Sequence, residues 1–262
     1  MPRTLKVYGD LLLLAYPRSN SASNVIYFTD YFDPAEMGFV SGFLKPGDCF
    51  VDCGANIGTY SLLAASVVGP SGRVISYEPV AMTAHRLREN VEINRLGSII
   101  DVRQVAVGAA RGLAPITSSG DVSNTLVLGA AGSAATEEVE VVPVVPRDLP
   151  CTPRLIKVDV EGFEMAALEG MSEILRLDSP PVILIELTPH LLRRAGTSAT
   201  QVASHLVGRG FSMPVAGNGR ARFVPVNFQT FDFEMRQANY LAIPPAHAEA
   251  AQGLLSEPGP GR

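Results

Sequence analysis

The chain has 262 residues, of which 47% are hydrophobic and 18% are charged. This balance is typical of a folded protein with a sizeable core and excludes a disordered chain. The net charge of −5 gives no overall attraction for nucleic acid or for an anionic membrane, so we expect neither as a partner. The longest leucine run, Leu11 to Leu14, is too short for a membrane span or a signal peptide, which predicts a soluble protein.

The chain contains three cysteines, Cys49, Cys53 and Cys151. An odd count without paired spacing argues against a disulfide scaffold and favours a reducing compartment, so we predict a cytoplasmic location. The expected role of each thiol is that of a small apolar packing group.

The first 32 residues read as short strands and turns, and we interpret residues 1–32 as an N-terminal extension. The strands predicted in it are Leu5–Tyr8, Leu11–Ala15 and Val25–Phe28. A helix is expected to begin at Asp33 and Pro34, because aspartate can cap a helix and proline suits its first position.

Residues 33–255 alternate apolar strands with amphipathic helices, which predicts one α/β domain with a mostly parallel sheet. A division into two domains has no clear linker. Residues 112–150, rich in Ser, Gly and Ala, are predicted to form a hairpin or excursion and are a candidate lid, and residues 256–262 a frayed tail. The predicted strands are Cys49–Cys53, Arg73–Tyr77, Asp101–Val107, Leu155–Asp159, Val182–Glu186, Phe223–Val226 and Tyr240–Ile243, and the main predicted helices after the first are Ala81–Arg95, Phe163–Leu177 and Ala199–Val207.

A glycine-bearing turn from Asp52 to Gly58 follows the first strand of this domain. Gly54 and Gly58 allow a tight turn and close approach of a ligand to the main chain. The carboxylate of Asp52 disfavours a dinucleotide pyrophosphate, but it attracts the ammonium and sulfonium of S-adenosylmethionine. Asn56 also stands where the dinucleotide fingerprint has its middle glycine.

Glu78 ends the second strand of the domain, where an acidic residue can accept hydrogen bonds from the two ribose hydroxyls of a nucleoside. Pro79 then stops the strand. Either Asp52 or Glu78 alone is equally consistent with a solvated strand end, whereas the pair with glycines between them favours a cofactor site.

Charged residues alternate at the end of the fourth strand, at Lys157, Asp159 and Glu161. If the strand stays extended, all three point to one side. Asp159 or Glu161 is then a candidate general base with Lys157 compensating the charge, and the alternative is a structural ion pair. Glu186, at the tip of the next strand, and His190 are further candidates, although a surface histidine is the commoner outcome.

A divalent cation such as Mg²⁺ is a second possibility at these strand tips. Asp159 and Glu186 could hold it together with water and substrate oxygens. The alternative for Glu186 is a contact with polar backbone.

Several motifs of this chain together resemble the FkbM family of S-adenosylmethionine-dependent methyltransferases. The resemblance covers roughly residues 35–245. It implies a class I, Rossmann-like sheet of seven strands whose last strand is antiparallel. The motifs are Asp52-Cys-Gly-Ala-Asn-Ile-Gly58, Tyr77-Glu-Pro79, Glu89-Asn-Val-Glu-Ile-Asn94, Val105-Ala-Val-Gly108, Ile156-Lys-Val-Asp-Val-Glu-Gly-Phe-Glu164, Ile185-Glu186 and the closing Asn239-Tyr-Leu-Ala-Ile-Pro244.

The resemblance also implies an activity, which is O-methylation of a hydroxyl on a sugar, glycolipid or polyketide-type natural product. The acceptor is then a small molecule or glycoside, and a homo-oligomer is open. An NAD(P)-dependent oxidoreductase is a rival that the loop spacing and the lack of a Tyr-x-x-x-Lys pair disfavour. A second rival interpretation is a scaffold that binds S-adenosylmethionine without catalysis. The cofactor-binding residues implied are Asp52, Gly54, Asn56, Gly58, Glu78, Pro79, Val107 and Asn124, of which Asn124 could equally be an ordinary loop residue.

Overall fold

The computed structural model describes residues 2–16, 31, 33–117, 136–217 and 222–255. The predicted strand at Val25–Phe28, the cofactor candidate Asn124, part of the candidate lid and the tail at 256–262 lie outside these residues. The strands are β1 (Arg3–Val7), β2 (Leu11–Ala15), β3 (Cys49–Cys53), β4 (Arg73–Tyr77), β5 (Ile100–Arg103), β6 (Ala106–Val107), β7 (Gly112–Thr117), β8 (Thr136–Val142), β9 (Leu155–Val158), β10 (Val182–Leu187), β11 (Val215–Ala216), β12 (Phe223–Val224) and β13 (Ala238–Ala242).

Most helices are short and cover the two faces of the central sheet. The first begins at Pro34 directly after Asp33, as the sequence predicts, but the Asp33 side chain makes no capping hydrogen bond. None of the helices in the described part of the chain has the length and apolar run that a bilayer crossing needs. The helices are α1 (Pro34–Phe43), α2 (Thr59–Val68), α3 (Ala81–Ile93), α4 (Glu164–Gly170), α5 (Pro189–Arg194), α6 (Ala199–Val207) and α7 (Ala248–Gln252), with 3-10 turns at Pro146–Asp148, Ile174–Arg176 and Pro245–His247.

The central sheet runs in the order β12-β11-β13-β10-β9-β3-β4-β5. Neighbouring strands from β10 to β5 are parallel, and β13 pairs antiparallel with β10. This confirms the predicted α/β fold with an antiparallel strand late in the chain. The sheet has eight strands rather than seven, because the two-residue strand β12 pairs with β11 at the edge.

The third predicted strand, Asp101–Val107, divides between two sheets. β5 ends at Arg103, and β6 leaves the central sheet to pair with β8, where Val107 lies opposite Val142. β7 and β8 pair antiparallel, and the residues between them, 118–135, lie outside the described residues, so the predicted hairpin or excursion over 112–150 stays a prediction. The role of this hairpin as a lid stays a prediction.

The helix predicted over Phe163–Leu177 is shorter than expected, because α4 ends at Gly170. A Cβ atom at Gly170 would lie 2.1 Å from the carbonyl oxygen of Gly108, so the end of the helix packs directly on the backbone beside β6. Glycine also disfavours continued helix, and a separate 3-10 turn follows.

The expectation about the cysteines was wrong, since Cys49 and Cys151 form a disulfide. The backbone N–H of Arg154 donates to the carbonyl of Cys49 at the start of the β3–β9 pairing, and this brings Cys151 beside Cys49. The two cysteines are 102 positions apart in sequence, so their spacing gives no sign of the pair. Cys53 is a buried free thiol, as predicted for a packing group.

Candidate functional site

The β3–α2 loop lies across the carboxyl end of β9. Gly54 has φ +83°, and its N–H donates to the carbonyl of Tyr77 at 2.9 Å. A Cβ atom at Gly54 would lie 1.8 Å from the carbonyl oxygen of Asp159. Only glycine fits this approach, so the loop and the exit of β9 are fixed against each other.

The rest of this loop is held by neighbouring elements. Asn56 has φ +52°, and its N–H donates to the Glu78 carboxylate at 2.9 Å. Gly58 has φ +92° and precedes α2, and a Cβ atom there would lie 2.2 Å from the Leu87 side chain of α3. The loop therefore keeps its path through left-handed residues supported from β4 and α3.

Glu78 is buried at the tip of β4 and is not a solvated strand end. One carboxylate oxygen accepts from Asn56 N–H, and the other accepts from Val80 N–H at 3.0 Å. Burial raises the pKa of Glu78 to about 7, although these two hydrogen bonds oppose the shift. Pro79, which directly follows, is half-buried.

Asp52 is also buried, with 1% of its surface exposed. Its Oδ2 accepts a hydrogen bond from Ser61 of α2 at 2.6 Å. Its Oδ1 has no hydrogen-bond partner among the described residues. Burial raises the pKa of Asp52, and the nearby Lys157 ammonium opposes that rise. A buried carboxylate oxygen without a partner indicates a place for a donor group of a ligand.

Lys157 is the buried cation of the site. Its ammonium donates to Asp159 Oδ2 at 2.8 Å and lies 4.7 Å from the ring centroid of Tyr60. Burial opposes its charge, but the carboxylates of Asp159 and Asp52 outweigh this effect and raise its pKa. The ion pair weighed as the structural alternative is therefore present, and it lies at the carboxyl edge of the sheet.

Two carboxylates of α1 join this edge, and the sequence analysis did not include them among the site residues. Asp33 accepts from the Tyr60 hydroxyl at 2.9 Å, and Glu36 accepts from the Asn239 amide at 2.9 Å. Burial raises the pKa of both carboxyls. Their position in the first turn of a helix is the ordinary place for acidic residues, so their pattern gave no functional signal.

Glu186 lies at the tip of β10 and accepts a hydrogen bond from Gln237. Burial, followed by the charge of Asp159, raises the pKa of Glu186 to about 8. Glu186 and Asn239 are paired across β10 and β13. The structure therefore groups Glu186 with Asp159 and with the α1 carboxylates. The sequence predicted the proximity of Glu186 and Asp159, but not that of the α1 carboxylates.

The turn after β9 departs from the predicted alternation. The strand ends at Val158, and Glu161 and Gly162 have φ values of +51° and +99°. The extended conformation therefore does not continue to Glu161, and the alternation does not place it beside Lys157. Gly162 N–H donates to Glu164 Oε1 at 2.9 Å, while Glu164 Oε2 is buried without a partner among the described residues. Burial raises the pKa of Glu164 to about 7, a feature that sequence reasoning missed.

Two further predicted site residues are His190 and Val107. His190 is exposed on α5. Val107 is buried among apolar side chains, and its backbone pairs with Val142. The expectation for Val107 assumed that it ends the third strand of the central sheet, and that strand ends at Arg103 instead.

The strand tips do not fit the metal hypothesis. Among the described residues no three His, Cys, Asp or Glu side chains are grouped to hold a metal ion. Asp159 is paired with the Lys157 ammonium and Glu186 with the Gln237 amide, so the two proposed ligands already have other partners.

A large part of the chain matches a known family. Residues 52–213 match the family model described as Methyltransferase FkbM domain. The chain belongs to the FkbM methyltransferase family. Membership supports S-adenosylmethionine as the cofactor.

The chain is also similar to two individual proteins. It is 29% identical over 149 residues to the hexuronic acid methyltransferase AglP of Haloferax volcanii, a match that covers 53% of this chain and 56% of that protein. It also resembles the crystal structure of a methyltransferase FkbM from Methylobacillus flagellatus, with a TM-score of 0.50 and 18% identity, over 79% of this chain and 48% of that one. The chain thus spans about half the length of each relative, and the structural likeness shows the fold alone.

Proposed function

We propose that the protein transfers the methyl group of S-adenosylmethionine to a hydroxyl oxygen of a neutral sugar, a glycolipid sugar or a similar polyhydroxylated natural product. The observation that carries this proposal is the group of carboxylates around one buried lysine at the carboxyl edge of the sheet. The relative named as a hexuronic acid methyltransferase supports a sugar-like acceptor.

The cofactor side of the site is the β3–α2 loop with the tip of β4. Asp52 Oδ1 has no partner within the described chain and is suited to accept from the cofactor ammonium. Each oxygen of Glu78 accepts one backbone N–H and keeps a second lone pair for a ribose hydroxyl. Gly54 presents no side chain, so the loop backbone can approach the ligand.

The acceptor side supplies the base that an alcohol needs. When bound, S-adenosylmethionine supplies an activated methyl carbon, whose bond to sulfur breaks as the bond to the acceptor oxygen forms. Glu186 is our choice to take the acceptor proton, because a base works best when its pKa lies near the working pH. Asp159 is held beside Lys157 and orients the acceptor hydroxyl.

The local charge favours a neutral acceptor over an acidic one. Asp33, Glu36, Asp159 and Glu186 lie around a single ammonium, that of Lys157. An additional carboxylate or phosphate on the acceptor meets net negative charge in a partly buried site. A hydroxyl, in contrast, can donate to these oxygens.

The test is a screen with S-adenosylmethionine that carries a labelled methyl group. Neutral hexosides and the matching hexuronates serve as acceptors, and product analysis identifies the atom that is methylated. We expect label on a hydroxyl oxygen of a neutral acceptor. Label on nitrogen or carbon, or faster transfer to the uronates, contradicts the proposal, and tight cofactor binding without turnover across the screen favours a non-catalytic scaffold.

A variant at Asp159 tests the chemical step separately. Asp159→Asn should leave cofactor affinity nearly intact and cut turnover sharply, as calorimetry and the labelled assay would measure. Glu92→Gln, on the exposed face of α3, is the control and should match the unmodified protein. Unchanged turnover in Asp159→Asn removes Asp159 from the chemistry.

A further inference from the structure

Helix α3 carries two asparagines one turn apart that both bind the N-terminal strand β2. Asn94 accepts from the N–H of Leu12 and donates to the carbonyl of Leu12, each at 2.7 Å. Its side-chain amide therefore satisfies the backbone of β2 as a neighbouring strand would. This bond pair docks the β1–β2 hairpin on α3, where Leu13 is fully buried.

Asn90 binds the hairpin and the cofactor loop together. Its Oδ1 accepts from the N–H of Leu14 at 2.7 Å, and its Nδ2 donates to the carbonyl of Ile57 at 2.9 Å. Asn90 is completely buried. One side-chain amide thus connects β2 to the middle of the β3–α2 loop.

The position of Ile57 makes this bond important for the shape of the loop. Ile57 lies between Asn56 and Gly58, both in the left-handed region of φ. Left-handed backbone is uncommon outside glycine, and asparagine tolerates it better than most residues, so contacts from neighbouring elements help to hold this path. Glu78 holds the Asn56 N–H on one side, and Asn90 holds the Ile57 carbonyl on the other.

We infer that Asn90 is a positioning residue for the cofactor loop, and that docking of the N-terminal hairpin and cofactor binding are coupled through it. The inference rests on the proposed placement of S-adenosylmethionine at this loop, and not on the identity of the acceptor. Coupling of this kind is reciprocal. The docked β1–β2 hairpin favours the loop conformation that binds the cofactor. In turn, bound cofactor slows the opening of the hairpin.

The first experiment compares Asn90→Ala with Asn94→Ala as a matched pair. Both variants lose hydrogen bonds to β2, but only Asn90→Ala also frees the carbonyl of Ile57. Calorimetry with S-adenosylhomocysteine should show about tenfold weaker binding for Asn90→Ala, the effect of one buried hydrogen bond. Asn94→Ala should stay within about twofold of the unmodified protein because it leaves the loop bond intact. Equal affinities in the two variants overturn the inference.

The second experiment uses the unmodified protein and does not depend on how the variants fold. Hydrogen exchange is measured with and without S-adenosylhomocysteine, in peptides that cover β2 and the β3–α2 loop. We expect slower exchange in both. Slowing in the loop without slowing in β2 overturns the coupling. Failure of the unmodified protein to bind S-adenosylhomocysteine contradicts the proposed function instead, so the two failures are distinguishable.

Discussion

The proposed cofactor half and the proposed acceptor half of the site are built in different ways. The cofactor half, formed by the β3–α2 loop and the β4 tip, is fixed by backbone hydrogen bonds and by glycines such as Gly54 that admit no side chain. The acceptor half depends on charge, with Lys157 among carboxylates at the start of α1, after β9 and on β10. The cofactor half depends on the local path of the chain. The acceptor half depends on residues from distant parts of the sequence that the fold brings together.

This difference has a consequence for how each half responds to change. The cofactor half is expected to bind one ligand, the cofactor, through its backbone. Substitutions in this half should therefore change the affinity for the cofactor. A charged cluster with raised carboxyl pKa values responds to pH, so alterations there should affect turnover and its pH dependence. Four further variants separate the two halves.

Glu186→Gln addresses the acceptor half alone and should have the largest effect. Loss of a general base typically lowers turnover by about 100- to 10,000-fold, while affinity for S-adenosylhomocysteine should not change. In the unmodified protein, kcat/KM for the acceptor should rise with pH through about 8, because the raised pKa of Glu186 leaves it protonated below that value.

The residual activity of Glu186→Gln should lack this rise with pH. A pH profile that is the same in both proteins would assign the proton transfer to another group.

Lys157→Met removes the cation that both halves share. It leaves the buried Asp52 and the half-buried Asp159 without their counter-ion, and breaking a buried pair in this way costs about 3–5 kcal/mol of unfolding free energy. Urea unfolding measures this loss. The control is Lys6→Met, which breaks the exposed Lys6–Asp10 pair and should cost less than about 1 kcal/mol. Similar losses in the two variants would refute a central role for Lys157.

Gly54→Ala addresses the cofactor half. Its Cβ atom would collide with the Asp159 carbonyl, and displacement of the loop by about 1 Å is enough to lower turnover by about 100-fold. Gly9→Ala is a matched control, because Gly9 has the same φ of +83° and nothing within 4 Å of an added Cβ atom. Cofactor titration of both variants separates the effect of the collision from that of backbone strain. Equal losses of cofactor affinity in Gly54→Ala and Gly9→Ala would show that strain alone is responsible.

Cys151→Ser should have the smallest effect on the site. The disulfide with Cys49 joins β3 to the segment before β9, at the amino ends of these strands and away from the carboxyl edge. Its loss should lower the free energy of unfolding by about 2 kcal/mol. Cofactor affinity should stay within about twofold of the unmodified protein. A large loss of affinity would show that both ends of the sheet respond together.

The two halves were also unequally predictable from sequence. The cofactor half follows from a local pattern, since Asp52, the loop glycines and Glu78 stand at strand ends that apolar runs make visible. The acceptor half follows only in part. Lys157, Asp159 and Glu186 also stand at visible strand ends, whereas Glu36 joins them through a contact with Asn239 across 203 positions. Aspartate is common at the start of a helix, so the sequence carries no sign that the Asp33 carboxylate contacts Tyr60 instead of capping the helix.

Other errors have the same physical origin. Strand alternation predicts a common side for Lys157, Asp159 and Glu161, and it fails at Glu161 because a left-handed turn begins there. The disulfide was missed because parallel pairing of distant strands, and not sequence spacing, brings Cys49 to Cys151. The α/β class and the mostly parallel sheet were predictable, since they depend on many apolar residues at once.

A crystal structure with S-adenosylhomocysteine bound tests the central claim most directly. The account predicts the amino group of the ligand on Asp52, the ribose hydroxyls on Glu78, and the sulfur facing Asp159 and Glu186. A nucleoside bound elsewhere, or one with Asp52 and Glu78 both turned away from it, would contradict the division of the site into these two halves.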